Sequence, residues 1–146
     1  MKCLSVMQPW ATLLVSGAKR YETRSWRTNY RGVLAIHASR TFTPAARELC
    51  RAEPFRSALL QAGFHSGADL PRGKVLGTVE LAGCLPTDEL VRGGGGEYAR
   101  EKTFGDYRPG RWAWACLRPG PLAVPFDYPG GLGVFEIPDH LFFGKW

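Results

Sequence analysis

The chain has 146 residues, 45% hydrophobic and 12% aromatic, which is apolar surface enough to offset the entropy of ordering one core and argues against disorder. Its formal charge of +6 is uneven: residues 1–60 carry ten Lys/Arg, eight of them Arg, against three Asp/Glu, a balance that fits either a polyanionic partner or a solvated basic surface. The four cysteines, at positions 3, 50, 84 and 116, lack metal-ligand spacing, the first residues do not form a signal peptide, and no apolar run approaches the ~18 residues of a membrane span.

These features lead to the expectation of one domain over residues 1–146, cytoplasmic, with reduced thiols, no metal, no cofactor and no membrane association. In chain order, Leu4 and Val6 mark a short strand, and Gln8-Pro9 opens a helix with Trp10, Leu13 and Leu14 on one face and Gly17 as its stop. Residues 19–26 read as extended, and residues 33–38 as a compact apolar strand. Thr43-Pro44 caps a helix that Pro54 restarts and Gly63 ends. After a polar loop at 64–73, Lys74 to Cys84 is strand-like, with glycines where a small barrel would bend. Thr87-Asp88-Glu89 suggests the cap of a short helix, and Gly93 to Gly96 a mobile loop. Trp112–Leu117, Leu122–Phe126 and Leu132–Ile137 supply three further strands. Irregular alternation of helices and strands favours an α+β fold, a small mixed β-barrel with two or three helices packed outside, over a βαβ sheet.

The chemistry gathers in Gly17-Ala18-Lys19-Arg20-Tyr21-Glu22-Thr23-Arg24. Strand alternation sends Lys19, Tyr21 and Thr23 to one face and Arg20, Glu22 and Arg24 to the other. Such a cluster suits a flat polar ligand such as a nucleobase, or forms a solvated edge. Glu80, inside an apolar strand, is either a base or acceptor near Lys19 or one residue of a half-exposed face, the second being favoured. His37 closes an apolar strand beside Ser39 and Arg40, where it is a proton carrier, a phosphate contact or, as is commoner for a lone strand histidine, a satisfied structural residue. Tyr21, Trp26 and Tyr30, interleaved with Arg27 and Arg31, offer stacking surfaces, while Trp10 and at least one of Trp112 and Trp114 belong to the core. No nucleophile elbow, catalytic His/Cys pair or metal-binding His pair is present.

Taken together, Leu4-Ser5-Val6-Met7-Gln8-Pro9-Trp10-Ala11, the Gly17/Lys19/Glu22/Arg24 spacing, Arg31-Gly32, Ile36-His37-Ala38 and Gly77-Thr78-Val79-Glu80 resemble the ASCH domain family of the PUA-like superfamily. The late Trp112/Trp114 and Gly131-Leu132-Gly133 segments extend the resemblance over nearly the whole chain. It implies a PUA-like barrel with a cleft lined by the lysine-glutamate-arginine segment, in a family whose members bind RNA or DNA, cleave RNA, or deacetylate N4-acetylcytidine. In the amidohydrolase group the lysine, threonine and glutamate positions fall on Lys19, Glu22 and Glu80, so a carboxylate stands where that group has its nucleophile.

The leading expectation is a nucleic-acid or nucleotide-binding module of RNA metabolism or transcription, RNA rather than DNA, with protein partners as a further possibility. Its binding residues are Gln8, Lys19, Tyr21, Arg24, Trp26, Arg27, Tyr30, Arg31, His37, Ser39 and Arg40. The alternative is a hydrolase of a modified nucleoside or of RNA, with Lys19, Glu22 and Glu80 as its catalytic residues.

Overall fold

The computed structural model describes residues 1–146. Six strands, β1 (Lys2–Val6), β2 (Tyr21–Arg24), β3 (Gly32–Ala38), β4 (Lys74–Pro86), β5 (Trp112–Asp127) and β6 (Val134–Glu136), form one mixed sheet ordered β2-β5-β4-β3-β1-β6. The sheet curls into a half-barrel of the PUA-like α+β kind. β1 runs parallel to β3, and the other pairs are antiparallel.

Curling follows from β4 and β5, whose register shifts three times along the pair, each irregularity adding bend and twist. Gly77 allows the closest approach there. A methyl group at that position would overlap the Gly120 carbonyl oxygen and lie 2.8 Å from Pro121 Cα. Shifted register also explains why residues 112–117 and 122–126, expected as two strands, form a single β5 that carries Pro119-Gly120-Pro121 within it.

Helix α1 (Trp10–Ser16) lies across the concave side, burying Ala11, Leu14 and Val15 against Leu4, Leu34, Ile36, Val79, Leu81 and Trp114. Its opposite flank gives Leu13 to a second cluster with Phe55, Leu59, Leu70 and Phe104, so α2 (Pro44–Leu49) and α3 (Phe55–Gln61) pack outside the sheet. Thr43 caps α2 as expected, its hydroxyl accepting from Ala46 N at 3.1 Å.

Two more helices, α4 (Thr87–Gly93) and α5 (Gly96–Glu101), raise the number of α-helices to five, where two or three were expected. With six or seven residues each, they are too short to show an apolar period in the sequence. The glycine run expected as a loop joins them: Gly93 ends α4, Gly94 takes the left-handed cap at φ +56° and Gly96 begins α5. Thr87 is no cap either. Its fully buried hydroxyl donates to the Arg108 carbonyl at 2.9 Å, tying α4 to the start of β5. No helix is long and apolar enough to cross a membrane.

Candidate nucleotide-binding site

The site begins where α1 stops. Gly17 at φ +86° reverses the chain, and Lys19 N donates to the Leu13 carbonyl at 3.0 Å, so Lys19 belongs to the helix-closing turn and not to β2. Strand alternation therefore does not govern it, and Lys19 meets Glu22, which alternation assigned to the opposite face. Lys19 Nζ donates to Glu22 Oε1 at 2.5 Å, Arg24 Nε donates to Glu22 Oε2 at 2.9 Å, and Arg24 Nη2 donates to the Ser5 carbonyl at 2.8 Å. Side-chain exposure is 2% for Lys19 and 8% for Glu22.

Burial alone would push the Glu22 carboxyl up, but Lys19 and Arg24 on either side outweigh it and hold it below the usual glutamate value. The group is thus an ionised carboxylate between two cations. Well-packed apolar residues of similar volume would often be as stable as such a buried cluster, which makes its presence a pointer to function.

Above this cluster opens a cavity of about 650 Å³ lined by Lys19, Glu22, Thr23 and Arg24 from the α1–β2 segment and by Ser5, Val6 and Met7 from the end of β1. Its apolar wall is a train of edge-on aromatics: Trp10 meets Phe55 with centroids 6.3 Å apart, and Phe55 meets Phe104 at 5.2 Å. Trp10, expected in the core, is half-buried and gives one surface to this cavity.

The opposite wall, residues 103–111, went unrecognised in the sequence. Buried Glu101 closes α5 and accepts from the backbone amides of Arg20 and Tyr21 at 3.0 and 3.1 Å, fastening that helix to the edge of β2. Burial raises its carboxyl pKa, against the lowering effect of those two amides. The chain then passes beside Thr23, whose hydroxyl accepts from Asp106 N at 3.0 Å. Arg111 donates to the Asp106 and Thr23 carbonyls at 3.1 and 3.3 Å. A two-pronged hydrogen bond from Arg108 holds the Asp106 carboxyl at about 2, so Asp106 stays ionised at the rim. Only Thr23, adjacent to the recognised lysine-glutamate-arginine spacing, marked this wall in the sequence.

Of the other expected binding residues, Ser39 reaches the cavity, and Arg40 lines a shallow neighbouring hollow with Ser39 and His37. Gln8 is fully buried, its amide bonding Thr12 and the Pro71 carbonyl, so it anchors α1. His37 is 1% exposed. Its Nε2 lies 2.6 Å from the Tyr128 carbonyl and must donate, leaving Nδ1 to accept from Ser5 Oγ at 3.0 Å, and Ser5 Oγ in turn accepts from Gly131 N. His37 therefore tethers the 128–131 loop and offers no free nitrogen.

Tyr21 bonds Glu97, and Tyr30 bonds the Val33 carbonyl. Arg31 caps the carbonyls of Thr28 and Tyr30, Arg27 lies 5.9 Å over the Trp112 ring, and Trp26 packs edge-on against Trp114. None of these five lines the cavity. Neither does Glu80. It sits on the outer face of the sheet, paired with Arg118 and flanked in register by half-exposed Val33 and Leu117. Its inward neighbours Val79 and Leu81 fill the core, so the pleat fixes Glu80 outward, away from Lys19.

A family model described as the ASCH domain matches residues 4–116. The chain is 43% identical over 138 residues to the human protein named activating signal cointegrator 1, and 30% identical over 138 residues to the mouse protein of that name. Each match covers 92% of this chain but 22% of the relative, so the chain spans about a fifth of the length of these proteins. Among solved structures, an ASCH protein from Zymomonas mobilis superposes with a TM-score of 0.59 at 16% identity, covering 95% of this chain and 88% of that one. A tyrosine-to-phenylalanine mutant of the same bacterial protein gives 0.57, covering 94% and 90%. At that identity the likeness is one of fold.

Proposed function

Because the chain belongs to the ASCH domain family, we propose that its cavity receives one nucleotide, free or within a strand, and that the protein is a nucleic-acid or nucleotide-binding module. The carrying observation is the buried Lys19–Glu22–Arg24 cluster forming the floor of a cavity walled by Trp10, Phe55 and Phe104. A volume of about 650 Å³ lies within the range of small-molecule sites. An ammonium, a carboxylate and a guanidinium supply donors and acceptors for a base edge, and the aromatic wall supplies a face for stacking worth about 1–3 kcal/mol per base. Arg24 and Arg111, each a quarter exposed, lie where they can meet phosphate at the rim.

The PUA-like fold favours RNA over DNA, and the relatives' name, a signal cointegrator, supports a regulatory setting in transcription or RNA metabolism. The hydrolytic alternative drew on Lys19, Glu22 and Glu80 acting together. Only the first two share the cavity, which favours binding. Fluorescence anisotropy with single- and double-stranded RNA and DNA at two salt concentrations tests this reading. Binding should weaken with salt and fall at least tenfold in Arg24→Ala, with RNA preferred. Absent binding, or binding indifferent to both salt and Arg24, would contradict it.

A further inference from the structure

Behind the cavity, on the other side of α2 and α3, lies a second concavity of about 410 Å³ lined by Arg47, Arg51, Arg56 and His65 with Ser66, and by no carboxylate. Four nitrogen-rich side chains converge there from α2, the turn between the helices, α3 and the segment that follows. Gly67 brings the 66–68 turn close to Cys50: a methyl on it would lie 3.1 Å from Cys50 Sγ, a tight contact. Glu48 binds Arg51 at 3.0 Å in an exposed pair, which leaves Arg47 and Arg56 without carboxylate partners.

The two concavities lie close together: Thr41 lines the cavity, and its neighbour Phe42 packs against Gly67 of the second hollow. Leu49 of α2 and Phe55 of α3 face the cavity, while Arg47 of α2, Arg51 of the turn between the helices and Arg56 of α3 face the second hollow. Between them, at the exit past Ser39 and Thr41, Arg47 and Arg72 both lie over the Phe42 ring, at 4.8 and 5.7 Å from its centroid. Each guanidinium gains a cation–π contact with the ring, and together they place two positive charges on this stretch of surface.

We propose that this second hollow is a phosphate subsite for the phosphodiester backbone of the strand whose nucleotide occupies the cavity, with the Arg47/Arg72 pair on Phe42 as the bridge between the two. Planar guanidinium forks suit successive phosphates, and sequence is not read there. This inference rests on the nucleotide-binding reading and adds a direction to it: the strand leaves the cavity past Thr41 and runs over α2 toward His65.

The test compares a nucleoside monophosphate with single-stranded RNA of eight nucleotides in the wild type, in Arg47→Gln/Arg51→Gln/Arg56→Gln, in the milder Arg51→Gln/Arg56→Gln, which spares the Phe42 contact, and in Arg24→Ala. These arginines are exposed, so folding should survive, as circular dichroism would verify. With three phosphate contacts gone, the salt slope of the octanucleotide should shrink by about 2, at about 0.7 per phosphate. Its affinity should fall at least tenfold, in part already with the double variant, while the monophosphate is bound as by the wild type. Arg24→Ala should weaken both ligands. An octanucleotide held no tighter than the monophosphate by the wild type, or an unchanged salt slope in the triple variant, overturns the second subsite and leaves the cavity reading standing. A wild type that binds neither ligand overturns both.

Discussion

Glu22→Gln is the substitution with the largest expected consequence, and its size follows from the geometry. The exchange preserves shape but removes the charge that Lys19 Nζ meets at 2.5 Å, and Lys19, 2% exposed, gains little solvation in its place. Leaving one member of a buried pair uncompensated costs about 3–5 kcal/mol. The glutamine oxygen still accepts a hydrogen bond, which places the expectation near the lower end, about 3 kcal/mol. Against a total stability of about 5–15 kcal/mol, that is a large fraction. Lys19→Met should cost less, because Glu22 keeps its bond from Arg24 at 2.9 Å. Once the ammonium is gone, adding Glu22→Gln orphans no buried cation, since Arg24 is a quarter exposed and keeps the Ser5 carbonyl. Urea unfolding of the four proteins of this cycle should therefore give a coupling of at least about 2 kcal/mol, where independent sites add within about 0.5. Additive costs, or a Glu22→Gln protein within about 1 kcal/mol of wild type, would refute the claim of a buried interdependent charge cluster.

The sign of the pH dependence follows from the lowered carboxyl of Glu22. Its contribution is complete above the unfolded glutamate value of about 4.3 and is lost as pH falls through the lower folded value, so the acid limb of the stability curve should flatten in Glu22→Gln.

His37 behaves differently. Burial depresses its pKa, so stability should fall as pH drops below about 6.5, where the unfolded imidazole takes up a proton that the folded one resists. His37→Phe should abolish that component while costing about 1–3 kcal/mol at pH 8 through the freed Tyr128 carbonyl, as measured by denaturant titration across pH. Gly77→Ala should destabilise by at least about 1–3 kcal/mol and lower Tm, because the added methyl meets backbone on β5 and not a movable side chain. Glu80→Leu should change stability by no more than about 1 kcal/mol and leave nucleotide affinity intact, since its partner Arg118 is 82% exposed. Lost affinity in that variant would show that the outer face takes part in binding.

Much of the framework was legible because it rests on local signals. Helix α1 follows from Trp10, Leu13 and Leu14 with Gly17 behind them, and α2 from Thr43-Pro44. The outward placement of Glu80 follows from the pleat. The lysine-glutamate-arginine segment was recognisable, but the meeting of Lys19 with Glu22 was not, because the turn after Gly17 takes Lys19 out of the strand period. The 103–111 wall of the cavity was hidden for another reason: Asp106 and Arg111 arrive from about eighty residues downstream through Glu101 and Thr23, long-range bonds that leave no periodicity behind. His37 and Gln8 show the converse. Polar residues in an apolar context can serve as internal fasteners, and their partners at Tyr128 and Pro71 are distant in sequence.

The most direct test of the cavity as a nucleotide site is a crystal structure of the protein with a short single-stranded RNA. A base should lie against the Trp10–Phe55–Phe104 wall with its polar edge about 3 Å from Lys19, Glu22 or Arg24. RNA bound elsewhere on the surface, with the cavity free of any nucleotide, would contradict the account.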